Sequence, residues 1–386
     1  MQQTKRTVLV QEILRKLAKS PAVAVLGARQ VGKTTLSHQV ADVWQGKVTR
    51  FDLELPTDRD ALAQGAQMVL ERCEGLVILD EVQRMPGLFE LLRPLCDRPN
   101  QTTRFLLLGS ASWDLVKGVS ESLAGRIQFL DVSGFSIAET GQENLHRLWF
   151  RGGFPLAYCA DSDTDAMEWH EAFRRTFLER DIPVLGIEVA PEALRRFWTM
   201  MAHHHGQTWN ASRLAVAMGS KRSTVERYRD VLAGTFMLRV LLPWFENMGK
   251  RLVKSPKVYL RDSGVLHGLL GLVESLDLPR HPAYGVSWEG FALEQTLIAH
   301  GERDAYFYGT QRGAELDLLL LRRGRRWGFE FKCTDAPSTT KSMHIVLEDL
   351  NLEHLWVVYP GTVIFPMTDK ITALPLREIN RIELKP

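Results

Sequence analysis

Residues 22–36 read AVAVLGARQVGKTTL, and this stretch decides the fold of the N-terminal part of the chain. Its five apolar residues predict a short buried strand, and the residues from Lys33 onward predict a helix. Between them stands the pattern Gly-x-x-x-x-Gly-Lys-Thr, whose backbone N–H groups and lysine bind phosphate at the start of a helix. The stretch therefore predicts a strand, a phosphate-binding loop and a helix.

The loop pattern predicts binding of ATP with Mg²⁺. Glycines let the backbone approach the phosphates closely, and a lysine contacts the β- and γ-phosphates. We therefore predict Lys33 as a catalytic phosphate-binding residue and the hydroxyl group of Thr34 as a ligand of Mg²⁺. The predicted nucleotide-binding residues are Gly27, Ala28, Arg29, Gln30, Val31, Gly32, Lys33, Thr34 and Thr35.

Two later strands end in polar residues that suit the same chemistry. LVILDE at 76–81 delivers two carboxylates at the end of a buried strand, the edge of an α/β sheet where ligands bind. We predict that Asp80 holds Mg²⁺ and that Glu81 polarises the attacking water. The strand RFLLLG at 104–109 leads to Ser110, which we predict to sense the γ-phosphate or orient the water.

Arg126 is the fourth candidate catalytic residue. ESLAGR at 121–126 closes a predicted helix just before the apolar strand IQFLDV. An arginine there can project into the nucleotide site of a neighbouring subunit and offset charge in the transition state. The alternative is a solvated arginine at a helix C-terminus.

Patterning along the chain predicts four regions. Apolar strands alternate with helices up to residue 140, which indicates an α/β domain with a parallel sheet. Residues 141–206 predict a helical connector. Residues 207–275 begin with a short helix, a turn at Gly219, a second basic helix and a strand, an order that resembles a winged helix. Residues 276–386 predict a separate α/β domain, with a helix around 288–300, strands near 305–308, 314–321 and 327–332, a helix near 341–350 and a strand at 355–359.

The second helix of the winged-helix-like segment carries the candidate DNA contacts. Its basic residues alternate with serine, threonine and tyrosine, a mixture suited to phosphate contacts. The candidates are Lys221, Arg222, Arg227 and Arg229. The alternative is a helix used for protein contacts, which the small net charge of +2 favours.

The motifs GARQVGKTTL, LDEVQ, LLLGSAS, SLAGRI and RGGFP resemble those of prokaryotic AAA-superfamily ATPases that end in a long domain of unknown function. KSPKVYLRDSGVLHGLLG (254–271) and WEGFALEQTL (288–297) resemble the C-terminal region of that family. The resemblance implies an AAA-type core, a winged helix, a restriction-endonuclease-like end and a ring-type homo-oligomer in which Arg126 acts in trans. Family members typically have proline at the position of Ala28, where the phosphates contact only backbone.

The endonuclease-like resemblance directs attention to four residues in the tail. Asp317, Glu330 and Lys332 form the pattern Asp-x₁₂-Glu-x-Lys, and Glu294 matches the family's acidic position on the preceding helix. Because side chains alternate along a strand, Glu330 and Lys332 share one face. Carboxylates beside a lysine can hold Mg²⁺ and activate water against a phosphodiester. A domain that binds DNA without cutting it is an equally open reading.

Composition limits the remaining choices. The chain has 386 residues, 45% hydrophobic and 24% charged, typical of folded globular proteins. It has no apolar run long enough to span a membrane, its first residues do not have the pattern of a signal peptide, and its four cysteines lie far apart. We therefore expect a cytoplasmic protein without a membrane partner. The leading prediction is an ATP-hydrolysing protein that acts on DNA. The alternative is a nucleotide-switched regulator that binds a protein partner.

Overall fold

The structure is a computed structural model that describes residues 4–98, 102–110, 123–245 and 252–384. The chain forms two compact units. The first comprises residues 1–134 with 234–236, and the second comprises 135–233 with 237–386. Within the described part, no helix is long and apolar enough to cross a membrane. The four cysteines all lie in that part and are free thiols.

A parallel sheet forms the centre of the first unit. Its strands are β1 (Ala22–Gly27), β2 (Val48–Asp52), β3 (Leu76–Asp80), β4 (Arg104–Ser110) and β5 (Ile127–Asp131). They lie in the order β2-β3-β4-β1-β5, and all their pairings are parallel. β1 and β3 are buried along their whole length, which explains their continuous apolar sequences. The α/β prediction for the N-terminal part is confirmed.

Helices surround this sheet, at Thr7–Lys19, Lys33–Val43, Pro56–Ala63, Ala66–Glu71 and Leu88–Cys96. Leu26, Leu79 and Leu107 of three strands share one hydrophobic cluster with Leu92 of the helix Leu88–Cys96. The helix predicted before Arg126 falls mostly in residues 111–122, outside the described part. The predicted helix after the phosphate-binding loop is confirmed as Lys33–Val43.

The strand register places the loops that follow β1, β3 and β4 at the same edge of the sheet. Gly27 at the end of β1 pairs with Ser110 at the end of β4. Leu79, one residue before Asp80, pairs with Leu107 of β4. Since parallel strands all end at the same edge, the residues after β1, β3 and β4 meet there.

The second unit begins with the predicted helical segment. Its helices are Ile137–Thr140, Leu145–Arg151, Pro155–Tyr158, Asp163–Thr176, Ile182–Val184 and Pro191–His203, with a π-helical turn at Phe177–Asp181. Helices Ala211–Met218 and Arg222–Gly234 follow, separated by Gly219 in a left-handed conformation (φ 62°). β6 (Gln207–Thr208), β7 (Leu238–Leu241) and β8 (Lys257–Leu260) form an antiparallel sheet with β8 in the middle.

The C-terminal region is a mixed six-stranded sheet with helices. Tyr284–His300 precedes β9 (Ala305–Gly309), β10 (Glu315–Arg322) and β11 (Arg325–Phe331), and Lys341–Asp349 precedes β12 (His354–Tyr359), β13 (Phe365–Thr368) and β14 (Ile371–Pro375). The order is β13-β14-β12-β11-β10-β9. β9, β10 and β11 are antiparallel neighbours, whereas β11, β12 and β14 run parallel. The predicted helix–three strands–helix–strand order is confirmed.

One hydrophobic core runs through the second unit. Trp149, Tyr259, Trp288 and Phe329, from four distant parts of the sequence, belong to the same buried cluster. The rings of Trp149 and Trp288 meet edge to face with centroids 5.1 Å apart. The helical segment and the C-terminal sheet therefore share their core.

Near this core, the motif RGGFP (151–155) packs closely against Asp262 of the motif YLRDSG (259–264). Gly152 of RGGFP has a φ of 77°, and a Cβ atom there would overlap the carboxylate of Asp262. That carboxylate accepts hydrogen bonds from the N–H groups of Gly153 at 2.7 Å and Val265 at 2.9 Å. The positive φ and the lack of space for a Cβ atom beside Asp262 each require glycine at position 152.

Candidate functional site

The phosphate-binding loop has the shape that its sequence predicts. Gly32 has a φ of 89°, which suits glycine, and it caps the helix Lys33–Val43. A Cβ atom at Gly27 would overlap the carbonyl oxygen of Val132, so only glycine fits there too. The Nζ atom of Lys33 donates hydrogen bonds to the carbonyl oxygens of Gly27 at 3.0 Å and Ala28 at 2.9 Å. The loop is thus closed around its own lysine.

The interior position of Lys33 shapes its electrostatics. The residue is 5% exposed, and burial lowers the pKa of its ammonium group, although the carboxylates of Glu81 and Asp80 oppose this shift. Phosphate oxygens would replace two weak carbonyl partners with charged ones, which form stronger hydrogen bonds. The site therefore favours an anionic ligand at the tip of Lys33.

Thr34 and Asp80 form the predicted metal-binding pair. The hydroxyl group of Thr34 donates to Oδ2 of Asp80 at 2.8 Å, and the N–H group of Glu81 donates to Oδ1 at 2.9 Å. Burial raises the pKa of Asp80, while the Thr34 hydrogen bond acts in the opposite direction. A hydroxyl and a carboxylate are hard oxygen donors of the kind that Mg²⁺ prefers, so the pair fits this ion.

Glu81, Ser110 and Gln83 form a hydrogen-bonded group beside that pair. The Ser110 hydroxyl donates to Oε2 of Glu81 at 3.0 Å. The side-chain amide of Gln83 donates to Ser110 at 2.7 Å and also to Oε2 of Glu81. Glu81 has a φ of 53°, an uncommon conformation for a non-glycine residue that often marks functional sites. Sequence reasoning missed Gln83, whose only signal is its place two residues after Glu81.

Arg126 does not join this group. Its backbone carbonyl accepts from the N–H group of Ala22, at the start of β1, whereas the phosphate-binding loop follows the end of β1. Six strand residues separate the two edges by about 20 Å. The guanidinium group of Arg126 forms a bidentate ion pair with the carboxylate of Asp97, with Nε 2.5 Å from Oδ1 and Nη2 2.8 Å from Oδ2. Arg126 therefore lies away from the nucleotide site of its own chain.

The C-terminal domain brings Asp317, Glu330 and Lys332 together. Leu318 pairs with Phe329, so Asp317 and Glu330 stand opposite each other on β10 and β11. Oδ2 of Asp317 accepts from the N–H group of Phe331 at 3.0 Å, and Lys332 Nζ lies 2.7 Å from Oε1 of Glu330. Burial, together with the charge of Asp317, raises the pKa of Glu330 to about 8. The three predicted side chains thus form one cluster.

Glu294 lies elsewhere, which differs from the sequence-based expectation. Its carboxylate forms ion pairs with Arg239, whose Nη2 lies 3.0 Å from Oε2, and with Arg261 at 3.5 Å. Glu289 is the carboxylate of this helix that approaches the cluster, at 3.6 Å from Lys257 and 2.7 Å from the Tyr259 hydroxyl. Five residues correspond to a rotation of about 140° around a helix, so the two side chains leave from different faces.

Glu289, Lys257 and Tyr259 are functional candidates that sequence reasoning missed. Burial, with the charge of Asp317, raises the pKa of Glu289 to about 7. Among the described residues, no group of three or more histidine, cysteine, aspartate or glutamate side chains is arranged to hold a metal ion. The ammonium group of Lys257 instead lies among the carboxylates. In this arrangement the carboxylates do not fit a metal ion.

The candidate DNA-contacting residues differ in their availability. Lys221 and Arg222 are exposed at the start of the helix Arg222–Gly234, where Arg222 pairs with Glu226 at 2.9 Å. Arg227 donates to the Glu188 carbonyl oxygen at 2.8 Å. Arg229 pairs with Asp230 at 2.7 Å and lies over the Trp209 ring, 5.2 Å from its centroid. The helix start therefore presents the accessible positive charge.

The loop, the Thr34–Asp80 pair and the parallel sheet define a P-loop ATPase domain of the AAA type. A family model described as an AAA domain matches residues 19–141. Two models for domains of unknown function, DUF8612 and DUF4143, match residues 142–276 and 284–379.

Two curated relatives then place the whole chain in a family. The uncharacterized proteins Rv2008c of Mycobacterium tuberculosis and Mb2031c of Mycobacterium bovis are each 44% identical to it over 365 residues, covering 95% of this chain and 82% of theirs. The chain belongs to the same family as these mycobacterial proteins.

Solved structures with similarity to this chain include the two that follow. The Walker-type ATPase PABY2304 of Pyrococcus abyssi is 15% identical, with 69% of this chain and 96% of that chain covered and a TM-score of 0.49. A point mutant of RuvB from Thermotoga maritima is 15% identical, with 61% and 90% covered and a TM-score of 0.31.

Proposed function

We propose that the protein hydrolyses ATP with Mg²⁺ at the sheet edge and uses the cycle to act on DNA. The observation that supports hydrolysis is the pair of contacts at that edge, Thr34 with Asp80 and Ser110 with Glu81, at 2.8 and 3.0 Å. The first provides metal ligands and the second holds a carboxylate that can orient water. Both stand beside Lys33, whose side-chain hydrogen bonds among the described residues go to backbone carbonyl oxygens and not to an acidic group.

Each residue has a separate part in the proposed reaction. Lys33 binds the phosphates, and Thr34 with Asp80 holds Mg²⁺, which neutralises charge on the phosphates when bound. Glu81 accepts a hydrogen bond from the attacking water and so directs it. Ser110 and Gln83 keep the Glu81 carboxylate turned toward that edge. Arg126, on the opposite edge, acts on the site of a neighbouring subunit in a ring-type homo-oligomer.

DNA binding is assigned to the segment 207–260. Two helices separated by a turn and followed by an antiparallel sheet are the order of a winged helix, whose second helix enters the major groove. Lys221 and Arg222 at the exposed start of that helix suit phosphate contacts. The alternative is a nucleotide-switched regulator in which this surface contacts a protein.

ATP turnover measured with and without DNA separates these readings. We expect duplex DNA to raise the phosphate-release rate severalfold, and the Lys221→Ala/Arg222→Ala double variant to lose most of that stimulation. Lys47→Ala/Arg72→Ala is the matched control, since it removes the same charge from exposed residues of the first unit. No stimulation by any duplex, single-stranded or branched DNA would favour the protein-binding alternative.

Cleavage of DNA by the C-terminal domain is a second candidate function. Its support is the cluster of Asp317, Glu330 and Lys332, carried on a helix–three strands–helix–strand order that resembles restriction endonucleases. We expect cutting to disappear in Asp317→Ala, as followed on gels with duplex, single-stranded and branched DNA. Intact DNA across this panel, with binding retained, would leave a DNA-binding platform.

A further inference from the structure

Glu54 joins two arginines at the sheet edge that carries the phosphate-binding loop. Its Oε1 atom accepts hydrogen bonds from Nη2 of Arg29 at 3.2 Å and from Nη2 of Arg84 at 2.9 Å. The arginine side chains are only 20% and 21% exposed, so the contact is partly shielded from water. An isolated surface ion pair contributes little, whereas charges that share a partner in a network contribute more. One carboxylate oxygen therefore holds two guanidinium groups in a defined geometry.

The contact connects strand ends that are not neighbours in the sheet. Arg29 lies in the phosphate-binding loop after β1, and Glu54 follows the end of β2 by two residues. Because β3 and β4 stand between β1 and β2, the two strand ends are three strand spacings, about 14 Å, apart. The contact between Arg29 and Glu54 therefore reaches from the first to the last of four adjacent strands.

Arg84 extends this contact to the residues proposed to act on water. It ends the 3₁₀-helix Val82–Arg84, which directly follows Glu81 and contains Gln83. The N–H group of Arg84 donates to the carbonyl oxygen of Glu81 at 3.0 Å. The hydrogen bond from Arg84 to Glu54 thus restrains the backbone segment that carries the Glu81 carboxylate.

Arg29 lies close enough to the phosphate-binding lysine to act on its charge. Burial lowers the pKa of the Lys33 ammonium group, and the positive charge of Arg29 acts in the same direction. Glu54 therefore contacts one arginine near the proposed phosphate site and another beside the segment proposed to direct water.

We propose that Glu54 is a positioning residue of the ATP site, which acts through Arg29 and Arg84 to hold the phosphate-binding loop and the segment 81–84 in one fixed arrangement. In this role Glu54 touches neither the phosphates nor the attacking water. The inference rests on the proposed ATP hydrolysis and adds a residue that sets the distance between the bound phosphates and the carboxylate that orients water. A misplacement of about 1 Å between reacting groups lowers a rate by up to about 100-fold.

Charge and positioning predict different results for Glu54→Gln. The variant removes a negative charge near the proposed phosphate site, so an effect of charge alone would strengthen ATP binding and leave kcat intact. Positioning predicts that kcat falls by about fivefold or more, a small part of the loss that a 1 Å misplacement produces, with KM for ATP unchanged or lower. Phosphate release over a range of ATP concentrations measures both quantities.

Glu74→Gln is the matched control for Glu54→Gln. Glu74 is also a paired carboxylate of the first unit, with Oε2 2.7 Å from Nζ of Lys47. It precedes β3 and so lies at the opposite edge of the sheet from the loop. We expect Glu74→Gln to leave both kcat and KM unchanged, whereas an unchanged kcat in Glu54→Gln overturns the proposal whatever happens to KM.

Arg84→Gln tests whether the effect passes through the arginine. Alone it should lower kcat about as much as Glu54→Gln does. The double variant should be no slower than the slower single variant, because both changes break the same contact. A loss in the double variant equal to the product of the two single losses would show independent effects and overturn the proposal.

Hydrogen–deuterium exchange of the full, nucleotide-free chain gives a readout that does not depend on hydrolysis. We expect Glu54→Gln to raise the exchange rates of both 27–34 and 81–85 severalfold and Glu74→Gln to change neither; unchanged rates in Glu54→Gln overturn the proposal. Raised rates in a chain without ATP turnover would refute the proposed hydrolysis and keep Glu54 as the residue that holds the two segments. If Glu54→Gln does not fold, Glu54→Asp, whose side chain is shorter by one carbon, replaces it with the same expected loss of kcat and rise in exchange.

Discussion

At the scale of single residues, the proposed reaction assigns Lys33 and Glu81 to different states. In it, Lys33 contacts phosphates that are present in the bound substrate, whereas Glu81 acts on water only as the bond breaks. We expect Lys33→Ala to abolish ATP binding. We expect Glu81→Gln to keep ATP affinity within about twofold and lower turnover by about 100-fold or more, a typical loss for a catalytic base.

Fluorescent-nucleotide titration and phosphate release measure the two quantities. Glu90→Gln, an exposed carboxylate on the helix Leu88–Cys96, is the control for a loss of negative charge. Equal loss of ATP binding in Lys33→Ala and Glu81→Gln would contradict the division of labour.

Most residues of the ATP-site candidate set could be predicted because they lie in one short pattern or at strand ends. Lys33, Thr34, Asp80, Glu81 and Ser110 meet at one edge since the strands that carry them are parallel neighbours. Gln83 could not be predicted in the same way. It reaches Ser110 because the chain turns at Glu81 with a φ of 53°, and no residue type in the pattern signals that turn.

At the scale of secondary-structure elements, the sequence patterns predicted where strands and helices lie better than they predicted which face of a helix contacts its neighbours. Apolar runs predicted β1, β3, β4 and four strands of the C-terminal sheet, but not β13 or β14, and the helix Tyr284–His300 was predicted in part. Which face of that helix meets the carboxylates was not predictable. The helix is buried on nearly all sides, so its sequence has no clear polar face to orient it.

The partners of Glu294 explain the failure in physical terms. Arg239 lies on β7 and Arg261 follows β8, and both belong to the segment before the C-terminal domain. A buried carboxylate requires a nearby positive charge, and here two arginines supply it. Such pairing depends on tertiary contacts between residues at least 33 positions apart, which a local motif does not contain.

At the scale of the whole molecule, the proposed role of Arg126 in a neighbouring subunit would make one chain alone an incomplete catalyst. We expect Arg126→Ala to lower ATP turnover at least tenfold, a cautious fraction of what arginine fingers contribute, with ATP affinity nearly intact. Mixing Arg126→Ala with Lys33→Ala should restore part of the activity. In the mixture, a subunit with a sound loop can meet a neighbour with a sound arginine.

Native mass spectrometry of isotope-labelled subunits provides the control that subunits exchange. Arg72→Ala, which removes an exposed arginine of the same unit, should retain full turnover. If subunits exchange and no mixing ratio recovers phosphate release, Arg126 is not supplied in trans.

The shared core of residues 135–386 also limits how this family can recombine. Its two domains of unknown function are matched as separate modules, at 142–276 and 284–379. Yet Trp149 and Tyr259 from the first pack in the same cluster as Trp288 and Phe329 from the second. A genetic crossover between 276 and 284 would join halves that never evolved to fit, leaving large aromatic rings exposed in both products. We therefore expect the two modules to be inherited together, with viable exchange near residue 134, where the compact units divide.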